Sequence, residues 1–436
     1  MRTLTVGPGS EFKTLKALPK ILLDGDVIEV EPGIYHESKA WPKAGTFDNP
    51  VTVKAMEPLK TIFDGEGVSF AGTPRALFEV GTAGGSYIFQ DFKYRNTHNG
   101  NNNASAVRVV AGMVRCYGVH ARNCDIGVHS TNPEYMYIGE SDICWNGRGS
   151  NSHNIYLSGG KTALVEKCRI EHTTGGINVK IRARYVSIKN SRICDSVDGE
   201  IHLCQGPQTL EPGADCLVEN NFIRTLVSGR ANRARVIAIG NEGETAGGDR
   251  VGTLILRGNT IQMRHTDNIC VSLDSAKAGL LTENNVIEGS IKLLRIRYGS
   301  HAGNAGSGNV FKRGNESFVF AEFPEIFTAP YIPPPDTTPP APVTGLRAEQ
   351  AGPAGELGKP CPPEASIRLF WEPSSSPDID YYEVSAPYGP FSMGAECFFV
   401  DRAGLYHGRS YTYAVTAVDT NGNRSTASAA ISVIRI

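Results

Sequence analysis

"YVSIKNSRI", residues 185–193, decides how the rest of the chain reads. A short apolar strand, YVSIK, runs into an asparagine, and an isoleucine follows three residues later. The same pattern recurs as "NCDI" (123–126), "KCRI" (167–170), "NNFI" (220–223), "GNTI" (258–261) and "NNVI" (284–287). Apolar strands such as ALVEK, CLVEN, TLILRG and GLLTEN precede these segments. The isoleucines Ile126, Ile170, Ile193, Ile223, Ile261 and Ile287 recur at separations of 44, 23, 30, 38 and 26, and Ile143 splits the first interval. Repeats of roughly 20–30 residues without helical periodicity describe coils of a parallel β-solenoid. The isoleucines are expected to stack inside successive coils. The asparagines are expected at the turns, where they tolerate left-handed backbone and bond the turns above and below.

The start of the chain fits an end of such a solenoid. "VGPGSEFKTLKALPKILLDGDVIEVEPGIYHE" (6–37) reads as a strand, an amphipathic capping helix carrying Phe12, Leu15 and Leu18, and a second strand. A helix across the first coil would shield its open edge from pairing with other chains. This opening resembles right-handed parallel β-helix proteins of the pectate-lyase-like superfamily, and the resemblance runs from about Thr3 to about Phe320. It implies the fold. It leaves the activity open, because the superfamily holds lyases, hydrolases, epimerases and non-catalytic phage tail proteins.

Residues 329–342, "APYIPPPDTTPPAP", hold seven prolines in fourteen positions and read as an extended spacer. The expected division is therefore a β-helix over 1–328, the spacer, and a last domain over 343–436. That last segment is a run of short alternating strands and resembles a fibronectin type III domain. Trp371 takes the early core position, and Leu405, Gly408, Tyr413, Val415 and Ala417 match its "L-x-x-G…Y-x-V-x-A" strand. Such modules space and present other domains, which implies other virion or surface proteins as partners. The expected class is all-β, a solenoid followed by a small β-sandwich.

Composition narrows the function. A formal net charge of −2, from 43 basic and 45 acidic residues, argues against general nucleic-acid binding. No apolar run is long enough for a membrane span, and "MRTLTVGPGSEF" has no hydrophobic signal region. An extracellular or virion-associated location without a signal peptide is the reading these features suggest. The ten cysteines show no zinc-type spacing and read as small packing residues; Cys361 and Cys397 share the last segment, where pairing stays open.

One strand carries an unusual charge pattern. In "GGINVKIRARYVSIKN" (175–190), Ile177, Val179, Ile181, Ala183 and Tyr185 fall on one face, and Asn178, Lys180, Arg182 and Arg184 on the other. Like charges about 7 Å apart repel, so this row is either solvated surface or a holder of something anionic. In neighbouring repeats the same alternation places Asn154 and Tyr156, then Glu200, His202 and Cys204, on the outer face, with Asn241, Glu242 and Glu244 one coil further on. Coils about 4.8 Å apart would gather these into one polar patch.

That patch suits an acidic polysaccharide. An arginine paired with a sugar carboxylate acidifies the adjacent C–H. Lys180, crowded by Arg182 and Arg184, is the candidate base, and Tyr156, His202 or an arginine the candidate acid. Asn154, Asn178, Arg184, Glu200 and Glu242 are the candidate substrate contacts. A lysine and an arginine sharing this task resembles β-helix alginate lyases and chondroitinase B-type lyases. Their calcium site has no identifiable ligand set here, so the cofactor stays unknown. A glycosidase would want clustered acids, and Asp195, Asp198 and Glu200 straddle a turn. The expected function is binding and β-eliminative cleavage of an acidic polysaccharide. The competing reading is a phage tail, virion or cell-surface protein that contacts glycans without cutting them.

Overall fold

The computed structural model describes residues 2–436 except 150–151, 212, 227–234, 241–249, 266–267, 290–291, 297–303, 314–315, 321–337 and, nearer the C-terminus, 354–355, 358, 360, 363–364, 377–378, 387–388, 394–396, 402–404 and 420–422. It divides into two compact units, Met1–Pro333 and Pro334–Ile436. Most of the proline-rich stretch, 329–337, lies outside the described residues.

The first unit is a parallel β-helix of three long sheets. Sheet A has 12 strands, from Thr3–Val6 to Ala305–Ser307; sheet B has 12, from Gly33–Tyr35 to Glu316–Phe320; sheet C has 10, from Lys39–Trp41 to Lys292–Ile296. Each full coil contributes one strand to A, one to B and one to C; Thr3–Val6 precedes the first full coil, and Ala305–Ser307, Asn309–Arg313 and Glu316–Phe320 follow the last. Parallel pairing holds until the end of sheet B, where Asn309–Arg313 and Glu316–Phe320 pair antiparallel.

The isoleucine stack exists and belongs to sheet B. Ile143, Ile170, Ile193, Ile223, Ile261 and Ile287 are successive register partners, ending on Phe311. All six isoleucines are buried, each contributing about 1.5–3 kcal/mol by removal from water. Ile126 is the exception to the alignment. It is buried but opens a strand of sheet C, paired with Ser105, and Ala121 holds its place in the stack between Tyr94 and Ile143.

The cause is that two corners of the coil use the same short turn. Between sheets A and B, Lys167, Asn190, Asn220 and Asn284 have φ of 53°, 50°, 55° and 54°, and between B and C so do Asn123 and His172, at 51° and 55°. One left-handed residue turns the chain at either corner, which favours asparagine or glycine. At Gly258, φ 63°, an added Cβ would meet Asn220 Oδ1 at 2.3 Å. The residue after the left-handed one points inward and builds a ladder. Asn221 donates to Asn259 Oδ1 at 3.1 Å, Asn259 to Asn285 Oδ1 at 2.9 Å, and Asn285 to Asn309 Oδ1 at 2.9 Å.

The capping helix is shorter than expected, a single 3₁₀ turn over Leu15–Ala17 capped by Thr14. Pro19 follows too closely for a longer helix. Leu15, Leu18 and Leu22 are nonetheless buried, and Phe12 makes a parallel bridge to Val6 at the first strand.

The second unit is a small antiparallel β domain. Thr344–Ala351, Ser366–Glu372 and Phe398–Asp401 form one sheet; Gly389–Met393, Ile379–Ala386, Ser410–Asp419 and Ile431–Ile434 form the other. Trp371, Leu405, Tyr413, Val415 and Ala417 share its core. Among the described residues, no helix is long and apolar enough to cross a membrane.

Candidate functional site

The central strands of sheet C share a pattern of one residue facing away from the core between two facing it: V-R-V, V-H-S, I-Y-L, V-K-I, I-H-L, I-A-I, V-S-L, L-R-I; of the central residues, Arg108, His202, Ala238 and Ser272 are nonetheless buried. Parallel register lines up these central residues. Glu79, Arg108, His129, Tyr156 and Lys180 are successive partners. His202, Ala238, Ser272 and Arg295 continue the row. Lys180 and Tyr156, singled out from the sequence, are thus neighbours in the middle of a lateral row that runs the length of the sheet.

Contacts within the row are close. Lys180 Nζ lies 4.9 Å from the centre of the Tyr156 ring, and the Arg182 guanidinium carbon lies 6.0 Å from it, both within cation–π range. The His129 ring stacks on Tyr156 at 5.4 Å, and His153 meets it edge-on at 5.0 Å. Tyr156, Lys180, Arg182 and Arg184 are all partly exposed. Arg184 also pairs with Glu211 at 3.5 Å. Arg108 is anchored on Glu79 at 3.1 Å.

Both imidazoles of the row are held neutral. Burial, with the charges of Arg108 and Arg75 adding to it, pushes His129 down to about 3. Burial also pushes His202 well below its ordinary value, helped by Arg235, Lys180 and His153. His202 points off the lateral face as its alternation requires, yet it is only 3% exposed. Its Nε2 makes no hydrogen bond of normal geometry. The expectation of an open His202 is corrected accordingly, and Cys204 beside it is likewise buried.

Three expected surface residues are interior. Asn154, Asn178 and Glu200 are buried at 0%, 0% and 1% exposure. They continue a second ladder at the corner between sheets B and C. Asn146 donates to Asn154 Oδ1 at 2.9 Å, Asn154 to Asn178 Oδ1 at 2.7 Å, and Asn178 to Glu200 Oε2 at 2.6 Å. Asn154 and Asn178 also donate to the carbonyls of Glu171 and Cys194. Strand alternation does not extend to these positions, because the strands begin one residue later, at Ile155, Val179 and Ile201. These corner carbonyls each accept one backbone N–H, from Trp145 and His172, and the inward amides add a second bond. Burial, with the nearby Asp195, pushes the Glu200 carboxyl well above its usual range. Asp195 itself pairs with Arg224. Glu242, with Asn241 and Glu244, lies outside the described residues.

Sequence reasoning missed His129, Arg108 and Arg295, although the apolar–X–apolar triplets of sheet C mark all three. It also missed Asp274, which pairs with Arg235 and, at 3.3 Å, with Arg295. Among the described residues, no group of three or more His, Cys, Asp or Glu side chains is placed to hold a metal ion.

No protein-family model and no curated protein matches the chain. Among solved structures, the rhamnogalacturonan lyase matches with TM-score 0.40 and 14% identity over 69% of this chain and 84% of that one. The pectate lyase Pel9A matches with TM-score 0.36 and 15% identity over 71% of this chain and 74% of that one. The spore cortex lytic enzyme SleM of Clostridium perfringens matches with TM-score 0.18 and 14% identity; it involves 36% of this chain, which spans 56% of that one. At these scores the matches carry no argument about activity; the fold rests on the strand pairings themselves.

Proposed function

We propose that the lateral face of sheet C binds an acidic polysaccharide and cleaves it by β-elimination. The observation that carries this reading is the Lys180–Tyr156 pair, 4.9 Å from ammonium nitrogen to ring centre, with Arg182 beside it on a long parallel surface. Arg182 or Arg184 would pair with the sugar carboxylate and acidify the adjacent C–H. Lys180, in its neutral form, would take that proton. The C–H electron pair becomes a carbon–carbon double bond, the glycosidic C–O bond on the next carbon breaks, and Tyr156 gives its phenolic proton to the leaving oxygen. His202 drops out of the acid role in this reading, because it is covered and neutral. Incubating the protein with polygalacturonate, alginate and chondroitin sulfate, and following absorbance of unsaturated products, tests the proposal. No product from any acidic polymer counts against cleavage.

One observation favours the second reading, glycan contact without cleavage by a virion or cell-surface protein. A cation over the Tyr156 ring is the form that contact stabilises, and an ammonium binds carboxylates but accepts no proton. Polymer binding without product would select this reading. We also propose that the C-terminal domain is fibronectin type III-like. Its support is the Tyr411 hydroxyl, which accepts from the Tyr406 backbone N–H at 2.7 Å and ties the final strands to the preceding turn, the corner device of such sandwiches.

A further inference from the structure

The charges on the outer face of sheet B lie in two layers. One outward row runs through Lys93, His120, Asp142, Arg169 and Arg192, each the register partner of the next. In the row beside it Asp64 partners Arg95, Arg95 partners Arg122, and further on Cys144 partners Glu171. The side chains of Arg95, Arg122, Arg169 and Arg192 are 42%, 34%, 46% and 43% exposed. Those of Asp64, Asp142 and Glu171, with which they pair, are 1%, 15% and 6% exposed. A molecule that approaches this sheet therefore meets guanidinium groups before carboxylates.

Two of these arginines are anchored by one end. Arg192 Nε donates to Glu171 Oε1, and its guanidinium carbon lies 4.8 Å from the centre of the Phe222 ring. Arg95 Nε donates to Asp64 Oδ2 at 2.7 Å. Among the described residues, neither makes a hydrogen bond through its two terminal amino groups. A guanidinium fixed in this way keeps a planar pair of donors for a carboxylate. Lys93 is exposed and has no ion-pair partner among the described residues. His120, in the middle of the row, registers the local field. Burial holds it below its ordinary value; Asp142 pulls it up, while Lys93, Arg122 and Arg169 push it down.

We propose that this face of sheet B is a second, non-catalytic docking surface for the acidic polysaccharide, which lies along the solenoid axis with carboxylates on Arg95 and Arg192. The proposal rests on the reading of the partner as an acidic polysaccharide, and charge complementarity carries it. Across these strands Lys93, Arg95, Arg122, Arg169 and Arg192 outnumber Asp64, Asp142 and Glu171. At the corner with sheet A stand Asp91 and Glu140, with Lys167 paired to Glu140 at 3.6 Å. The undescribed segments that follow these strands, 150–151 and 227–234, hold no acidic residue. Lys93 and Arg192 are four coils apart, about 19 Å at the usual strand spacing, so the face offers several contacts to a linear chain and few to a single sugar. A polymer held here has a raised local concentration at the neighbouring sheet C.

Affinity electrophoresis of the full chain through gels holding polygalacturonate, alginate, neutral dextran or single-stranded DNA tests this. Arg192→Gln removes an anchored fork, and Lys93→Glu reverses an exposed charge that pairs with no carboxylate. Lys20→Glu, an exposed lysine near the capping turn, controls for net charge. Melting curves check folding, and Lys93→Glu carries the test if Arg192→Gln does not fold. The expected result is retardation of the wild type by an acidic polymer and not by dextran or DNA, at least threefold weaker in Arg192→Gln and Lys93→Glu and unchanged in Lys20→Glu. In a turnover assay these two variants should raise KM for polymer, keep kcat, and leave KM for a short oligosaccharide unchanged. If an acidic polymer retards the wild type and either folded variant is less than threefold weaker, or Lys20→Glu weakens binding as much, the sheet B face is overturned while the sheet C reading stands. Equal retardation by DNA, lost in the same variants, would overturn the polysaccharide as its occupant. If no acidic polymer retards the wild type, both readings fall together.

Discussion

Asn178 donates to Glu200 at 2.6 Å inside the solenoid and accepts from Asn154 at 2.7 Å, so a residue next in line to the cationic row belongs to the core. Its replacement tests that placement. Asn178→Ala should leave one Asn154 amide hydrogen and Glu200 Oε2 without their partners in the ladder. At about 1–3 kcal/mol for each unsatisfied buried group, a loss of several kcal/mol is expected in denaturant unfolding. A loss under about 0.5 kcal/mol, the usual size for an exposed site, would put Asn178 back on the surface.

Ile193→Ala should cost about 2–5 kcal/mol as a truncation in a packed column, because Ile193 stacks between Ile170 and Ile223. Urea unfolding of the variant against wild type measures it. A negligible change would mean that the sheet B stack is not a core.

Acid should weaken the solenoid through its buried histidines. Burial and two arginines push His129 down to about 3, and His202 moves the same way. The unfolded chain, with histidines near pH 6.5, binds protons that the folded state refuses. The histidines' contribution to stability therefore falls as pH drops from about 6.5 toward 3, while Glu200, shifted the other way, opposes it. His129→Gln should flatten that slope in melting temperatures recorded across the window; an unchanged slope would mean that His129 is protonated in the folded protein.

The sequence signals that succeeded and failed differ in kind. Alternation and the recurrent isoleucine reported burial along strands, where side-chain direction is periodic, and they located the stack and the Tyr156–Lys180 pair. Asn154, Asn178 and Glu200 were misread because the corners have no such period; their side chains turn inward and bond one another in a ladder. Ile126 was misaligned because both corners of the coil begin with a left-handed residue, as at Asn123 and Asn190. Arg235, Asp274 and Arg295 converge across three coils, and no spacing in the chain announces that meeting.

A fragment spanning Pro334–Ile436, the second compact unit, should unfold cooperatively on its own, since its buried core is self-contained. Circular dichroism during thermal denaturation checks this. A broad, non-cooperative loss of signal would mean that the domain depends on the solenoid.

Lys180→Ala tests the central claim most directly, assayed for unsaturated product on an acidic polymer beside a melting curve. Lys180 is partly exposed and sits over the Tyr156 ring, so its removal should cost no more than about 1 kcal/mol of stability. The account predicts that turnover is abolished while the melting temperature and retardation by the polymer are largely retained. Wild-type turnover in a folded Lys180→Ala protein would contradict it.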